Sequence, residues 1–170
     1  AAGYRVEHDF LGDKQVPADA YYGVQSLRGK ENFPITGDRA HPSLIKAIAM
    51  VKKAAAMANM DVGLLDKDRG KAIVKAADEI IAGKHGEMFP LDIFQGGGST
   101  STNMNVNEVI AKRANELLTG HKGYDAVHPN THVNRGQSTN DVIPAAISIA
   151  CYRYAKELRV SLARLDASLQ

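Results

Sequence analysis

Two short runs of this sequence gather side chains that can hold a small anion. The first, Gln95 to Glu108, reads Gln-Gly-Gly-Gly-Ser-Thr-Ser-Thr-Asn-Met-Asn-Val-Asn-Glu. Its three glycines let the backbone turn tightly and approach a ligand. Ser99, Thr100 and Ser101 follow as candidate N-caps. A helix starting there aims free N–H groups and partial positive charge outward, which suits a carboxylate or phosphate. The second run, Gln137-Ser138-Thr139-Asn140-Asp141, stacks hydroxyls and amides before another helical pattern, with Pro144 in its first turn. Two neutral, donor-rich helix starts in one chain suit a small anion with several oxygens. The alternative for each run is a loop that caps a helix and binds nothing. A Walker loop is excluded because the Gly-Lys-Ser/Thr ending is missing. A dinucleotide fingerprint is excluded because no parallel-strand pattern surrounds the glycines.

The elements that must position these runs are mostly helical. Ala1 to Gly3 read as an unstructured start. Tyr4–Phe10 and Gln15–Val16 form a hairpin turning at Gly12-Asp13. A short helix falls within residues 18–32, with Tyr21 and Phe33 packing the hairpin against the helices. From Ser43 to Asn59, Leu44, Ile48, Val51, Ala55 and Ala58 share one face, leaving Lys46, Lys52 and Lys53 as a solvated face. Asp66 caps a further helix that ends near Gly83. A loop over 85–94 leads to a helix from about Ser101 to Leu118, stopped by Gly120. Its apolar side is Val109, Ala114, Leu117 and Leu118, and Glu108–Lys112 forms a favourable i,i+4 pair. The last segment carries a stripe of Ile147, Cys151, Tyr154, Leu158, Leu162, Leu165 and Leu169 with no stop signal after it. Such a helix needs a partner, so the sequence is expected to be the amino-terminal piece of a longer protein. Cys151 lies on that stripe without a basic neighbour and reads as a buried or interfacial residue, not a nucleophile. The fold class is all-α with a small N-terminal β-hairpin.

Composition narrows the function classes. The chain has 170 residues, 44% of them hydrophobic and 24% charged, which fits a globular protein of one domain. With a net charge of +2, only 6% aromatic residues and no basic cluster, nucleic-acid binding is not expected. A single cysteine rules out an internal disulfide. No apolar run reaches membrane-spanning length, so no membrane partner is expected and the cytoplasm is the expected location. His121, His128 and His132 lack any partner ligand at zinc spacing, so no metal site is expected.

Three motifs resemble the fumarase/aspartase superfamily, and the resemblance runs from Phe10-Leu11-Gly12 onward. They are Gln95 to Asn105, the run His128-Pro129-Asn130-Thr131-His132-Val133-Asn134, and Gln137 to Asp141. The resemblance implies residues 1–140 as an amino-terminal helical lyase domain and 141–170 as the start of a central helix bundle. It implies a homotetramer whose active sites draw on three subunits. Tyr22-Gly23-Val24-Gln25, Gly96 and Thr139 lean toward the aspartate ammonia-lyase branch over the class II fumarate hydratases, whereas Gly98-Ser99 departs from the aspartase pattern.

The implied reaction is the reversible anti-elimination of ammonia from L-aspartate to give fumarate. By the same resemblance, Thr100, Ser138, Thr139 and Asn140 bind the substrate carboxylates, with Ser101, Asn103, Asn105 and Gln137 in support. Tyr21 to Gln25 and Arg28 would lie near the cleft. His128, Asn130 and Thr131 correspond to a second, peripheral anion site, although Thr131 stands where related fumarases usually carry Asp. No organic cofactor is implied; a divalent cation such as magnesium would act only as an activator. The family's catalytic serine, on a mobile glycine- and serine-rich loop before Met-Pro, is expected beyond Gln170. Residues 1–170 alone are then expected to be inactive. A stand-alone anion-binding or interaction module is the alternative of another class.

Overall fold

The computed structural model describes residues 3–169. Ala1 and Ala2 of the expected unstructured start lie outside them. Gly3 is already tied down, since its carbonyl accepts the Ala18 N–H at 2.9 Å. Strands β1 (Tyr4–Asp9) and β2 (Gly12–Pro17) pair antiparallel, from Tyr4 opposite Pro17 to Asp9 opposite Gly12. The turn is therefore Phe10-Leu11 and not Gly12-Asp13. The Asp9 carboxylate makes that turn by accepting the Leu11 N–H at 2.9 Å, and both its oxygens are gripped by Arg28. Gly12, at a φ of +103°, starts the return strand.

Five helices follow: α1 (Val24–Asn32), α2 (Pro42–Asp61), α3 (Lys67–Ile81), α4 (Thr100–Thr119) and α5 (Thr139–Leu169). Their ends obey local chemistry. His41 caps α2 through its ring, with Pro42 in the first turn. Asp66 caps α3 by accepting the Arg69 N–H at 3.0 Å. Gly83 and Gly120 leave α3 and α4 at φ of +89° and +82°. The loop over 85–94 contains a 3₁₀ turn at Gly86–Met88. Pro144 is the sixth residue of α5, not part of its first turn. It denies the Asn140 carbonyl its helical donor.

The core lies where α2, α3, α4 and the start of α5 meet, around Ile48, Ile73, Val106, Val109 and Ile110. The α2 face is wider than the single stripe expected. Ile45, Ala47, Ala49 and Ala56 are buried and Ala58 is exposed, because α3 and α5 pack against α2 together. Lys52 corrects the reading of a solvated lysine face, being fully buried. α4 is buried nearly all round from Thr102 to Lys112. Glu108 and Lys112 are thus not a surface pair; each is buried and bonded to a different element. Beyond Ala150, α5 is exposed throughout. Ile147, Tyr154, Leu158, Leu162, Leu165 and Leu169 are 46–79% exposed. Cys151 is exposed too, which removes the buried half of its expected role. The boundary expected between residues 140 and 141 falls inside the first turn of α5. No described helix is long and apolar enough to cross a membrane.

Candidate functional site

Gly97, Gly98 and Ser99 take successive left-handed conformations, with φ of +68°, +54° and +71°. A Cβ on Gly97 would come within 3.1 Å of Thr100 Oγ1, so a glycine keeps this corner tight. Ser99 occupies the N-cap position of α4, yet its side chain caps nothing. Gln95 does that work: its Oε1 accepts the Thr102 N–H at 2.7 Å and the Thr102 hydroxyl at 2.8 Å. The Thr100 N–H bonds the Gly97 carbonyl at 3.0 Å, and the Thr100 hydroxyl donates to the same oxygen. Asn103 N–H bonds the Ser99 carbonyl. The Ser101 N–H is then the first-turn donor with no acceptor among the described residues.

The second corner starts α5. Ser138 Oγ accepts the Asn140 N–H at 3.2 Å, so Ser138 is a working cap. Thr139 Oγ1 accepts from Asn103 Nδ2 at 3.1 Å, which ties the two corners together. Between them opens a cavity of about 350 Å³, lined by Thr100, Ser101, Asn103 and Met104 of α4, Thr139 of α5, Gln25 of α1, and Asn130 and Asn134. Every polar lining side chain is a neutral hydroxyl or amide. Of the four expected substrate-binding residues, Thr100 and Thr139 meet here. Ser138 and Asn140 are exposed and outside the lining. Among the supporting residues, Ser101 and Asn103 reach the cavity. Asn105 and Gln137 do not: Asn105 is buried and donates to the Met88 carbonyl at 3.1 Å. A more apolar groove of about 230 Å³, between Pro42, Ile45, Ile80 and Phe89, has the cationic side chains of Arg39, Lys46 and Lys84 in its lining and no hydroxyl or amide side chain.

Behind the cavity wall lies a polar network that the sequence reading missed. Lys52 Nζ donates to Asn134 Oδ1 at 2.8 Å and to Gln137 Oε1 at 2.9 Å. Asn134 Oδ1 also receives Asn103 Nδ2 at 3.3 Å and Asn107 Nδ2 at 3.2 Å. Burial pushes the Lys52 amine down to about 7. The spacing of Lys52 on α2 carried no sign of this, because its amide partners are over 80 positions away in sequence.

α1 brings Gln25 to the cavity, and its own start is sealed. Glu108 of α4 accepts the N–H groups of Gly23, Gln25 and Ser26 at 2.9, 3.0 and 3.0 Å, and the Ser26 hydroxyl as well. Glu7 of β1 accepts the Val24 N–H at 3.0 Å and pairs with buried Lys112 at 2.6 Å. Burial pushes the Glu108 carboxyl up against the downward pull of its four donors, and pushes the Lys112 amine down against Glu7. The Lys112 ammonium sits over the Tyr124 ring, 3.3 Å from its centre.

His128 caps a π-helical turn, Pro129–Val133, that contains His132. Proline is accepted because it stands at the first position, where no N–H is required. His128 Nδ1 accepts the N–H groups of Asn130 and Thr131 at 3.2 and 3.3 Å. Burial lowers both histidines, which keeps the rings neutral near pH 7. His128, Asn130 and Thr131 therefore form one compact turn, and Asn130 alone of the three lines the cavity. No group of three or more His, Cys, Asp or Glu side chains among the described residues could hold a metal ion.

A family model described as lyase matches residues 12–170. The chain is 59% identical to an aspartate ammonia-lyase of a Bacillus species over 155 residues, covering 91% of this chain and 33% of the relative. It is 58% identical to a class II fumarate hydratase of Halobacterium salinarum, covering 86% of this chain and 31% of the relative. A crystal structure named fumarate lyase:delta crystallin, from Brucella melitensis, superposes with a TM-score of 0.93 at 47% identity, over 96% of this chain and 39% of the other. The chain spans about a third of the length of the curated relatives it matches.

Proposed function

The chain belongs to the lyase family that includes fumarases and aspartases, and from that premise we propose that it supplies carboxylate-binding residues to an aspartate ammonia-lyase site. The observation that carries this reading is the cavity at the α4 and α5 starts, lined by neutral donors and free of acidic side chains. A dicarboxylate entering it meets the Ser101 N–H, the Thr139 hydroxyl and the amides of Gln25 and Asn130. In the proposed reaction a base removes the proton on the carbon next to one carboxylate. The electron pair moves into that carboxylate, the bond from the neighbouring carbon to nitrogen breaks, and ammonia and fumarate leave. Donors aimed at the carboxylate oxygens act most strongly when the second negative charge develops there. The base belongs to a part of the full-length protein outside residues 1–170. Ser138 and Asn140, exposed at the start of α5, reach the substrate of a neighbouring subunit in a homotetramer. The exposed apolar stripe of α5 supports that assembly. The peripheral anion site is proposed at His128, Asn130 and Thr131. No residue here is assigned to an activating cation.

The full-length enzyme should release equal amounts of fumarate and ammonia from L-aspartate, while residues 1–170 alone release none. The near-equal identity to a fumarate hydratase favours a second reading, hydration of fumarate. Malate formed from fumarate, with aspartate inert, would establish that reading and overturn the first. Binding of succinate without turnover of either substrate would establish a binding module.

A further inference from the structure

We propose that Lys52 sets the direction of the hydrogen bonds between the core and the cavity, and thereby leaves the Thr139 proton available to a ligand carboxylate. This rests on the reading of the cavity as a carboxylate site.

The argument follows donors and acceptors one bond at a time. A lysine ammonium has donors and no acceptor, and its neutral form still has two N–H bonds. Lys52, fully buried, directs its amine at Asn134 Oδ1 and Gln137 Oε1. Both amides are fixed at their other ends as well. Asn134 Nδ2 donates to the Gln137 carbonyl at 3.2 Å, and Gln137 Nε2 donates to the Val133 carbonyl at 2.9 Å. Turning either amide over would set N–H against N–H and oxygen against oxygen.

Asn134 Oδ1 is thus an acceptor, so Asn103 and Asn107 must face it with their NH2 groups. Asn103 passes the direction on, since the same Nδ2 donates to Thr139 Oγ1. Thr139 accepts from the core, so its own proton is not spent on Asn103 and is left for the cavity that Thr139 lines. A reversed Asn103 would take that proton for its own oxygen. The arrangement leaves Asn103 Oδ1 and Asn107 Oδ1 buried with no partner. Such orphaned oxygens are unusual in a native core. The imposed direction explains them, because the Lys52 side of the network takes the NH2 groups and leaves the oxygens behind. No carboxylate bonds to Lys52 among the described residues, so no acidic group competes for its protons.

Lys52 is a positioning residue, acting through Asn134 and Asn103 on Thr139. The test is a double-mutant cycle in the full-length protein, read by calorimetric titration with succinate, which cannot react. Lys52→Met and Thr139→Val should each weaken succinate binding by about tenfold, the effect of one neutral hydrogen bond. The double variant should be no weaker than Thr139→Val by more than about twofold, since a residue acting only through Thr139 has nothing left to position. Losses that multiply in the double variant, or unchanged binding in Lys52→Met, overturn the proposal while leaving the carboxylate site standing. No succinate binding by the folded wild type overturns the site reading and this proposal with it. If Lys52→Met does not fold, Asn103→Leu breaks the same chain one link later and must show the same non-additivity with Thr139→Val; independent losses there overturn the proposal.

Discussion

Two helix starts in this molecule face the same electrostatic problem and are treated in opposite ways. The α1 start is filled by carboxylates from its own protein: Glu108 takes three N–H groups and Glu7 takes a fourth. The α4 start, on the helix that carries Glu108, is bordered by an open cavity of hydroxyls and amides. Buried lysines stand behind both. Lys112 has Glu7 as its ion-pair partner at 2.6 Å, whereas Lys52 has two amide oxygens and, among the described residues, no carboxylate. The α1 start displays how this fold holds a carboxylate when the carboxylate is its own. The α4 start has the donors and the nearby amine without the acid.

If the α1 start is sealed by charge, removing the charge should cost the most. Glu108→Gln points an amide N–H at backbone donors and should lower stability by about 3 kcal/mol, read from urea unfolding. An unchanged midpoint would mean that the carboxylate only fills space. At the open start, Thr139→Val should lower kcat/KM of the full-length enzyme for aspartate by about 10²-fold, roughly 2.7 kcal/mol, with a smaller loss in succinate binding. Equal losses in both would make Thr139 a ground-state contact. The mildest test separates the two lysines. Lys52 holds its proton to about pH 7 when folded, against an ordinary 10.5. Between those values the unfolded chain binds more protons, so stability rises with pH, by at most about 1.4 kcal/mol per unit for one group. Lys112, also lowered by burial, contributes in the same direction. Tyr21, raised to about 12, reverses the trend only above pH 10. Unfolding free energies measured at pH 7, 8 and 9 should climb less steeply in Lys52→Met than in wild type. Identical slopes would mean that Lys52 keeps its proton throughout.

Local chemistry was readable in advance. Asp66, Gly83 and Gly120 mark helix ends through bonds that span a few residues, and each stands where its type requires. The donor-rich runs were equally visible, and the cavity brings Thr100 and Thr139 together. What escaped the sequence depends on distant partners. Helical spacing assigns a lysine to solvent, and nothing near Lys52 names the amides of Asn134 and Gln137 that accept it. Glu108 and Lys112 look like a surface pair at i,i+4 until β1 and the α1 start cover them. The hairpin misled in another way. Glycine signals a turn, but Asp9 formed it two residues earlier with a side chain bonded to the Leu11 N–H.

The middle helix carries a last consequence. Seven buried polar residues line α4: Thr102, Asn103, Asn105, Asn107, Glu108, Lys112 and Asn115. Thr102 is matched to Gln95, Asn105 to Met88, Asn103 and Asn107 both to Asn134, Glu108 to the α1 backbone, Lys112 to Glu7 and Asn115 to the backbone around Val127. An apolar helix can rotate among near-equivalent packings in a greasy core. α4 cannot, because slipping by one residue turns every side chain by about 100° and shifts it about 1.5 Å. All of these matches would fail together, at about 1–3 kcal/mol for each stranded group. The slipped registers are therefore lifted on the order of 10 kcal/mol above the native one. Polar residues that add little to the depth of the native well remove its competitors, and the chain is left with one way to be compact.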